Sequence, residues 1–182
     1  MGIKLILKDA DFSVNGFDGG GIQYQLLLNI TSEEFNNSPN VVNPGSASTP
    51  YLFADKKEVF AGIIGRSIAG IRMKIHTEGV IPVYTATFNT DTSAATNIAF
   101  AESFTASSSD VGTIKDFMFT NPVILSTNQK IFFGNKDSLT MTGRWYYGGN
   151  TGDPVLCLST NKNSGWLVST LPLTVDYLLL PA

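Results

Sequence analysis

From about residue 51 onward, short apolar runs alternate with polar, Gly-bearing connections, and this alternation constrains the fold more than any other feature of the chain. The connections read "TEGV", "NTDTSA", "ASSSDVG", "STNQ", "GGNTGDP" and "NKNSG". Such segments turn because Gly reaches positive φ and because Asn, Asp and Ser hydrogen-bond their own backbone. Their spacing is close to the ~8–12 residues at which strands of sandwiches and barrels recur. Strands are predicted at 67–76, 80–88, 97–105, 113–119, 122–125, 130–134, 139–147, 154–160, 165–170 and 173–180. No amphipathic helical stretch of ten residues follows residue 60, so parallel strands would lack crossover helices. The expected fold class is all-β, an antiparallel β-sandwich.

Composition supports a packed core. The 182 residues suit one domain; 43% are hydrophobic and only 15% charged, which excludes global disorder. Aromatic residues make up 11%, led by 12 Phe, and flat rings favour pleated surfaces. The net charge is -3, and no run of Lys or Arg is longer than Lys56-Lys57. That leaves no basic footprint for a phosphate backbone, so nucleic acid is not an expected partner. Membrane insertion is not expected either, because no stretch approaches the ~20 apolar residues of a spanning helix. At the N-terminus the apolar run Ile3 to Leu7 is broken by Lys4. It is too short for a signal h-region. The expectation is a chain without an export signal and of open compartment, compatible with cytoplasmic synthesis and virion assembly. The single cysteine, Cys157, excludes an intramolecular disulfide and sits in the apolar run "PVLCLST", where it reads as a small buried hydrophobe.

Residues 1–50 have a different character. "IKLILK" (3–8) reads as a strand, and the Gly-dense "NGFDGGG" (15–21) as a turning loop. "IQYQLLLNI" (22–30) reads as a second strand, with helix as its competitor. Thr31 and Glu34 have the spacing of a capping box. Residues 36–50 carry Pro39, Pro44, Gly45 and Pro50 and read as loop. The expected organisation is an N-terminal arm over 1–50 and a sandwich over 51–182.

Side chains alternate across a strand, so period 2 assigns faces. In "SIAGIRMKIHT", Ala69, Ile71, Met73 and Ile75 share the core face, and Arg72, Lys74 and His76 the other. In "VIPVYTATF", Ile81 and Val83 face one way and Tyr84 the other. Pro82 cannot donate to a ladder and points to an edge or bulge. In "GRWYYGG", Trp145 and Tyr147 are expected to be buried, with Arg144 and Tyr146 outside. Trp166 is expected to close one end of the core. The candidate ligand-binding residues are therefore Arg144, Tyr146, Tyr84, Arg72, Lys74 and His76. The last three join only if their strand neighbours that of Arg144.

The sequence specifies no reaction. There is no Gly-x-Ser-x-Gly elbow, and the only histidine, His76, lies among cations. One His and one Cys in the whole chain leave no structural zinc set. Asp9, Asp11, Asn15 and Asp18 cluster, but Ser13 and Val14 stand where an EF-hand needs a ligand and a glycine. Glu78 and Glu102 are the carboxylates near strand ends that a glycosidase pair would use. "DGGG" and "AGIIGR" match neither a Walker loop nor a dinucleotide fingerprint. No catalytic residue, metal or cofactor is expected.

The succession "GRSIAGIRMKIHTEGVIPVYTATFNT", "TIKDFMFTNPVILSTNQKIFFGN" and "RWYYGG", then a Trp-containing hairpin and an apolar closing strand, resembles small β-sandwich modules. These are found in tail-associated and adhesin-like proteins of gut-bacterial prophages and their hosts. "IKLILKDADFSVNGF" is similar to the start of such proteins. The resemblance implies a jelly-roll-like module for attachment or glycan recognition, for example in a virion tail. It implies no catalytic residue, and the Gly-Asp-Ser motif of some hydrolase-bearing relatives is absent here. The expected function is a non-enzymatic binding module for a carbohydrate or cell-surface receptor. The alternatives are a structural subunit of a tail or surface assembly, a homo-oligomer through its arm, and a small carboxylate hydrolase.

Overall fold

A computed structural model describes residues 24–28, 30–43, 45–46, 49–55, 64–89, 94–136, 140–148, 156–159, 166–168 and 173–181. In chain order the elements are β1 (Gln25–Leu26), α1 (Ser32–Asn36), β2 (Asn40–Val41), β3 (Gly45–Ser46), β4 (Thr49–Pro50), β5 (Leu52–Asp55), β6 (Ser67–Thr77), β7 (Gly79–Asn89) and β8 (Ala94–Ala106). There follow β9 (Ile114–Ile124), β10 (Gln129–Gly134), β11 (Arg144–Tyr147), β12 (Leu156–Ser159), β13 (Trp166–Val168) and β14 (Val175–Leu179). Every paired strand is antiparallel. Two six-stranded sheets form the sandwich, and β3 with β4 forms a separate ribbon.

The first sheet runs β1-β14-β6-β11-β2, with β9 on the other edge of β6. Ile75 sends both backbone groups toward β9, its N–H to Thr113 and its carbonyl to Gly112. A strand has two edges, so β14 and β11 follow one another along the remaining one. The second sheet runs β13-β12-β5-β10-β7-β8. Between the sheets lies one core, with Ile68, Ile71, Met73, Ile75, Phe117, Trp145 and Tyr177 from the first sheet meeting Phe53, Ile81, Val83, Phe104, Ile131 and Phe133 from the second. The Trp145 ring stands edge-on to Phe53 and Phe133, at 5.6 and 5.7 Å, the geometry the ring quadrupoles prefer. Phe104 stacks on Phe117 at 5.1 Å and holds β8 against β9.

Of the expected arm, residues 24–28 and 30–43 are built into this sandwich. Gln25 and Leu26 pair with Leu179 and Leu178, and Asn40 and Val41 with Tyr147 and Tyr146. Between them Thr31 caps α1. Its hydroxyl accepts from Glu34 N, and the Glu34 carboxylate accepts from Thr31 N, the reciprocal box that the Thr31/Glu34 spacing predicts. Glu33 and Glu34 also sit favourably in the first turn. Ile30, Phe35 and Val42 are buried. Their burial is worth on the order of 5–8 kcal/mol before ordering entropy, comparable with the ~5–15 kcal/mol net stability of a whole domain. Residues 3–8 lie outside the described residues.

The observed strands depart from the sequence reading at four places. Among the described residues of the strand expected over 22–30, only Gln25–Leu26 form one, because the Asp176 carboxylate takes the N–H groups of Leu28 and Ile30 away from any ladder. The strands expected at 113–119 and 122–125 are one strand, β9, in which residues 119–122 bulge opposite Ala69. Among the described residues of the strand expected over 139–147, only Arg144–Tyr147 form one, since Thr142 N and Gly143 N both donate to the Val80 carbonyl. Of the two alternatives for Pro82, edge or bulge, the edge is overturned: Pro82 sits in an interior strand, one residue beyond the last β7–β10 partner, Val83, where the ladder needs no donor, and the β7–β8 register shifts just after it, between Val83 and Tyr84. Among the described residues no helix is long and apolar enough to cross a membrane.

Candidate functional site

The outer face of the first sheet gathers most of the predicted residues. Arg72, Lys74 and His76 project from β6 away from the buried Ile71, Met73 and Ile75. β11 is the direct neighbour of β6, with Arg144 opposite Thr77 and Trp145 opposite Ile75. The one-residue shift between these pairs leaves His76 as the extra residue and turns it outward beside Thr77, whose hydroxyl lies 2.7 Å from His76 Nδ1. Gly79 makes this register attainable. Its φ is +131°, and a Cβ there would collide with Thr142 and the Gly143 backbone. Only glycine lets the lead-in to β11 pack so closely on the β6–β7 hairpin.

Trp145 is fully buried, Tyr146 and Tyr147 are half-buried, and Arg144 is exposed. The ring of Tyr146 is the centre of the cluster. The Lys74 ammonium lies 5.1 Å from its centroid, and the His76 ring meets it edge-on at 5.0 Å. Lys74 also donates to Asn36 Oδ1 at 2.9 Å, so the end of α1 borders the site. Asn36 was not visible to sequence reasoning: the capping box locates the helix but not what it lies against.

Arg72 belongs to a different row. Its neighbours in register are Asp116 on β9 and Asp176 on β14. The Arg72 fork binds Asp116 through two bonds, of 2.6 and 2.8 Å. The hydrogen bonds to Asp116 raise the guanidinium above its ordinary pKa, against the opposing effect of burial. Asp176 is fully buried and accepts from Leu28 N, Ile30 N and Tyr177 N. Burial pushes its carboxyl up, while these three bonds and Arg72 oppose the rise. Arg72 is thus held by structure, whereas Lys74 and Arg144 have no carboxylate within ion-pair distance among the described residues.

The structure does not bring Tyr84 to this place. Tyr84 points away from the core, as its alternation predicts, but from the second sheet. There it is buried beside Leu52, Ala54, Ala86, Phe88 and Phe132. Its ring meets the exposed ring of Phe100 at 5.8 Å. Glu78 and Glu102 are not a pair. Glu78 precedes the first residue of β7 and Glu102 lies opposite Val83, which is about 16 Å of strand, well beyond glycosidase spacings of roughly 5–9.5 Å. The Glu102 carboxylate is engaged by Thr120 N and Oγ1, at 2.8 and 2.7 Å. Cys157 and Trp166 lie in β12 and β13, their side chains outside the described residues, as are Asp9, Asp11, Asn15 and Asp18. Among the described residues no group of three His, Cys, Asp or Glu side chains is placed to hold a metal ion.

No protein-family model matches the sequence, and no curated protein or solved structure matches it either.

Proposed function

We propose that the protein is a non-enzymatic attachment module that binds a glycan on the outer face of its first sheet. The carrying observation is that Lys74 and His76 meet the Tyr146 ring from the adjacent strand, with the exposed Arg144 two residues before Tyr146 on β11. Arg144 brings up to five N–H donors to this face and Lys74 three, one of them already committed to Asn36. Rigid strands hold all four residues, which suits recognition by hydrogen bonds to a polar ligand. Resemblance to tail and adhesin modules supports the same reading and suggests a setting in a virion tail or cell-surface assembly. A glycan array probed with the purified chain and with Tyr146→Ala tests it. Binding by the parent and loss in the variant is the expected result. Binding kept by the variant moves the site elsewhere, and no binding by the parent overturns the reading.

One observation favours a second reading, a structural subunit built from copies of this chain. β8 ends the second sheet and contains no Lys, Arg or Pro over its 13 residues, and its only edge-blunting features are Glu102 and two register shifts against β7. Phe100 on it is 62% exposed. The corresponding edge strand of the first sheet, β9, carries Lys115, Asp116 and Pro122. Light scattering across a wide concentration range tests this: a monomer throughout rejects it.

A further inference from the structure

Resting on the glycan-binding reading, we infer that the ligand is anionic: a sugar bearing a carboxylate or sulfate, its acid group held by Arg144 and a second acceptor by Lys74.

The argument is an inventory of what the face can offer. Neutral sugars are usually held by two devices, an open aromatic face for their C–H surface and hydrogen-bond acceptors for their hydroxyls. Both are partly taken here. The Lys74 ammonium covers the Tyr146 ring and the His76 ring abuts it. Of the nearby acceptors, Asn36 Oδ1 serves Lys74, Asp116 serves Arg72, and both oxygens of Asp176 serve backbone N–H groups. What remains is donor-rich. Arg144 is exposed with a planar fork suited to bidentate binding of an oxyanion, and Lys74 keeps two N–H groups. The position opposite Arg144 lies three steps along β6 from Lys74, a backbone offset of roughly 10 Å, so a ligand with acceptors at two points suits the pair. The charge is local. The chain as a whole carries -3, so general polyanion attraction is not expected.

The test compares oligogalacturonate, its methyl ester, dextran sulfate oligosaccharide and neutral dextran by calorimetry, with the parent and with Arg144→Met, Arg144→Lys and Lys74→Met. The inference expects an acidic probe to bind at least about tenfold more tightly than its neutral counterpart. Arg144→Met and Lys74→Met should each lose about tenfold, and Arg144→Lys an intermediate amount, because it keeps the charge without the fork. Preference for oligogalacturonate assigns a carboxylate, and preference for dextran sulfate a sulfate. Binding should weaken several-fold between about 50 and about 500 mM salt. Equal binding of ester and acid, or of dextran and dextran sulfate, overturns the inference and leaves the glycan-binding reading intact. Acid binding unchanged in Arg144→Met and Lys74→Met also overturns it, by placing the anion elsewhere. No binding of any probe, together with an empty glycan array, overturns both. All three substitutions are at outward-facing positions, and unchanged circular dichroism separates lost binding from lost folding.

Discussion

The two sheets share one core but differ on their outer faces. Beyond the core, the first sheet presents rows of polar and charged side chains: Asp116–Arg72–Asp176, then Lys74 with Tyr146, then His76. The second sheet presents a further buried apolar cluster of Leu52, Ala54, Tyr84, Ala86, Phe88 and Phe132. Even its cation is absorbed, since Lys130 is buried with its ammonium 5.7 Å from the Phe88 ring. One sheet leaves its outer face polar, and the other buries an apolar cluster on its outer face as well. The sequences announce the difference: β6 alternates apolar and polar residues, whereas β10 carries Ile131, Phe132 and Phe133 in succession. A run without alternation marks a strand buried on both faces.

The sharpest way to break this contrast is to truncate one side chain on each outer face. Phe132→Ala removes a fully buried ring and should cost about 3–5 kcal/mol. Tyr146→Ala removes a half-buried ring and should cost no more than about 1–2 kcal/mol. Urea midpoints measure both. Equal losses would mean that the first sheet's outer face is as much core as the second's.

Asp176 is where the charged face becomes structural, and its removal should have the next largest effect. In Asp176→Asn one oxygen still accepts, but the amide N–H₂ points at the N–H of either Leu28 or Ile30. An unsatisfied buried donor costs about 1–3 kcal/mol, and removal of a desolvated charge returns part of it, so about 1–2 kcal/mol should be lost at neutral pH. The pH dependence has a definite sign. Burial raises the folded carboxyl above its unfolded value. The proton-linked stability is therefore whole below about pH 4 and is lost as pH rises through the raised value. The stability gap between parent and variant should narrow as pH climbs through that window. A gap that widens instead would show that the three N–H bonds outweigh burial.

How far these faces could be read in advance depended on whether the information was local. Strand alternation placed Lys74, His76 and Arg144 on outward faces and Trp145 in the core. It also pointed Tyr84 away from the core. It could not show that Tyr84 is buried, because that depends on Leu52, Ala54 and Phe132 from β5 and β10 lying beside it. The capping box at Thr31 and Glu34 was legible for the same local reason. The partners that decide which cations are available were not. Asp116 and Asp176 lie 44 and 104 positions from Arg72 in sequence, and only strand register sets them in one row with it.

A smaller effect is expected at the β8–β9 connection, where the charge is held by local bonds. Lys115 first, then the N–H and hydroxyl of Ser107, hold the Asp110 carboxyl down at about 2. A depressed carboxyl contributes stability above its unfolded value, and that contribution is lost as pH falls from about 4 toward 2. Acid unfolding of Asp110→Asn should therefore converge with that of the parent near pH 2 and diverge from it above about pH 4. Curves that stay parallel throughout would mean that Asp110 is not held down in the folded chain.

The smallest stability change should come from Lys74→Met, although the same substitution should have a large effect on binding. The replacement keeps most of the aliphatic stem, which packs on apolar surface in long cationic side chains. It removes the exposed bond to Asn36 and the ammonium over Tyr146. An exposed hydrogen bond contributes about 0.5–1.5 kcal/mol net, and an exposed cation–π contact about 0.5–1. The two compete for one ammonium, so the loss should stay near 1 kcal/mol. That pairing of outcomes separates a face kept for a ligand from a face that merely closes the fold. If Lys74→Met destabilises as much as Phe132→Ala, the ammonium is a structural clamp between α1, β6 and β11. The outer faces would then differ in chemistry but not in role.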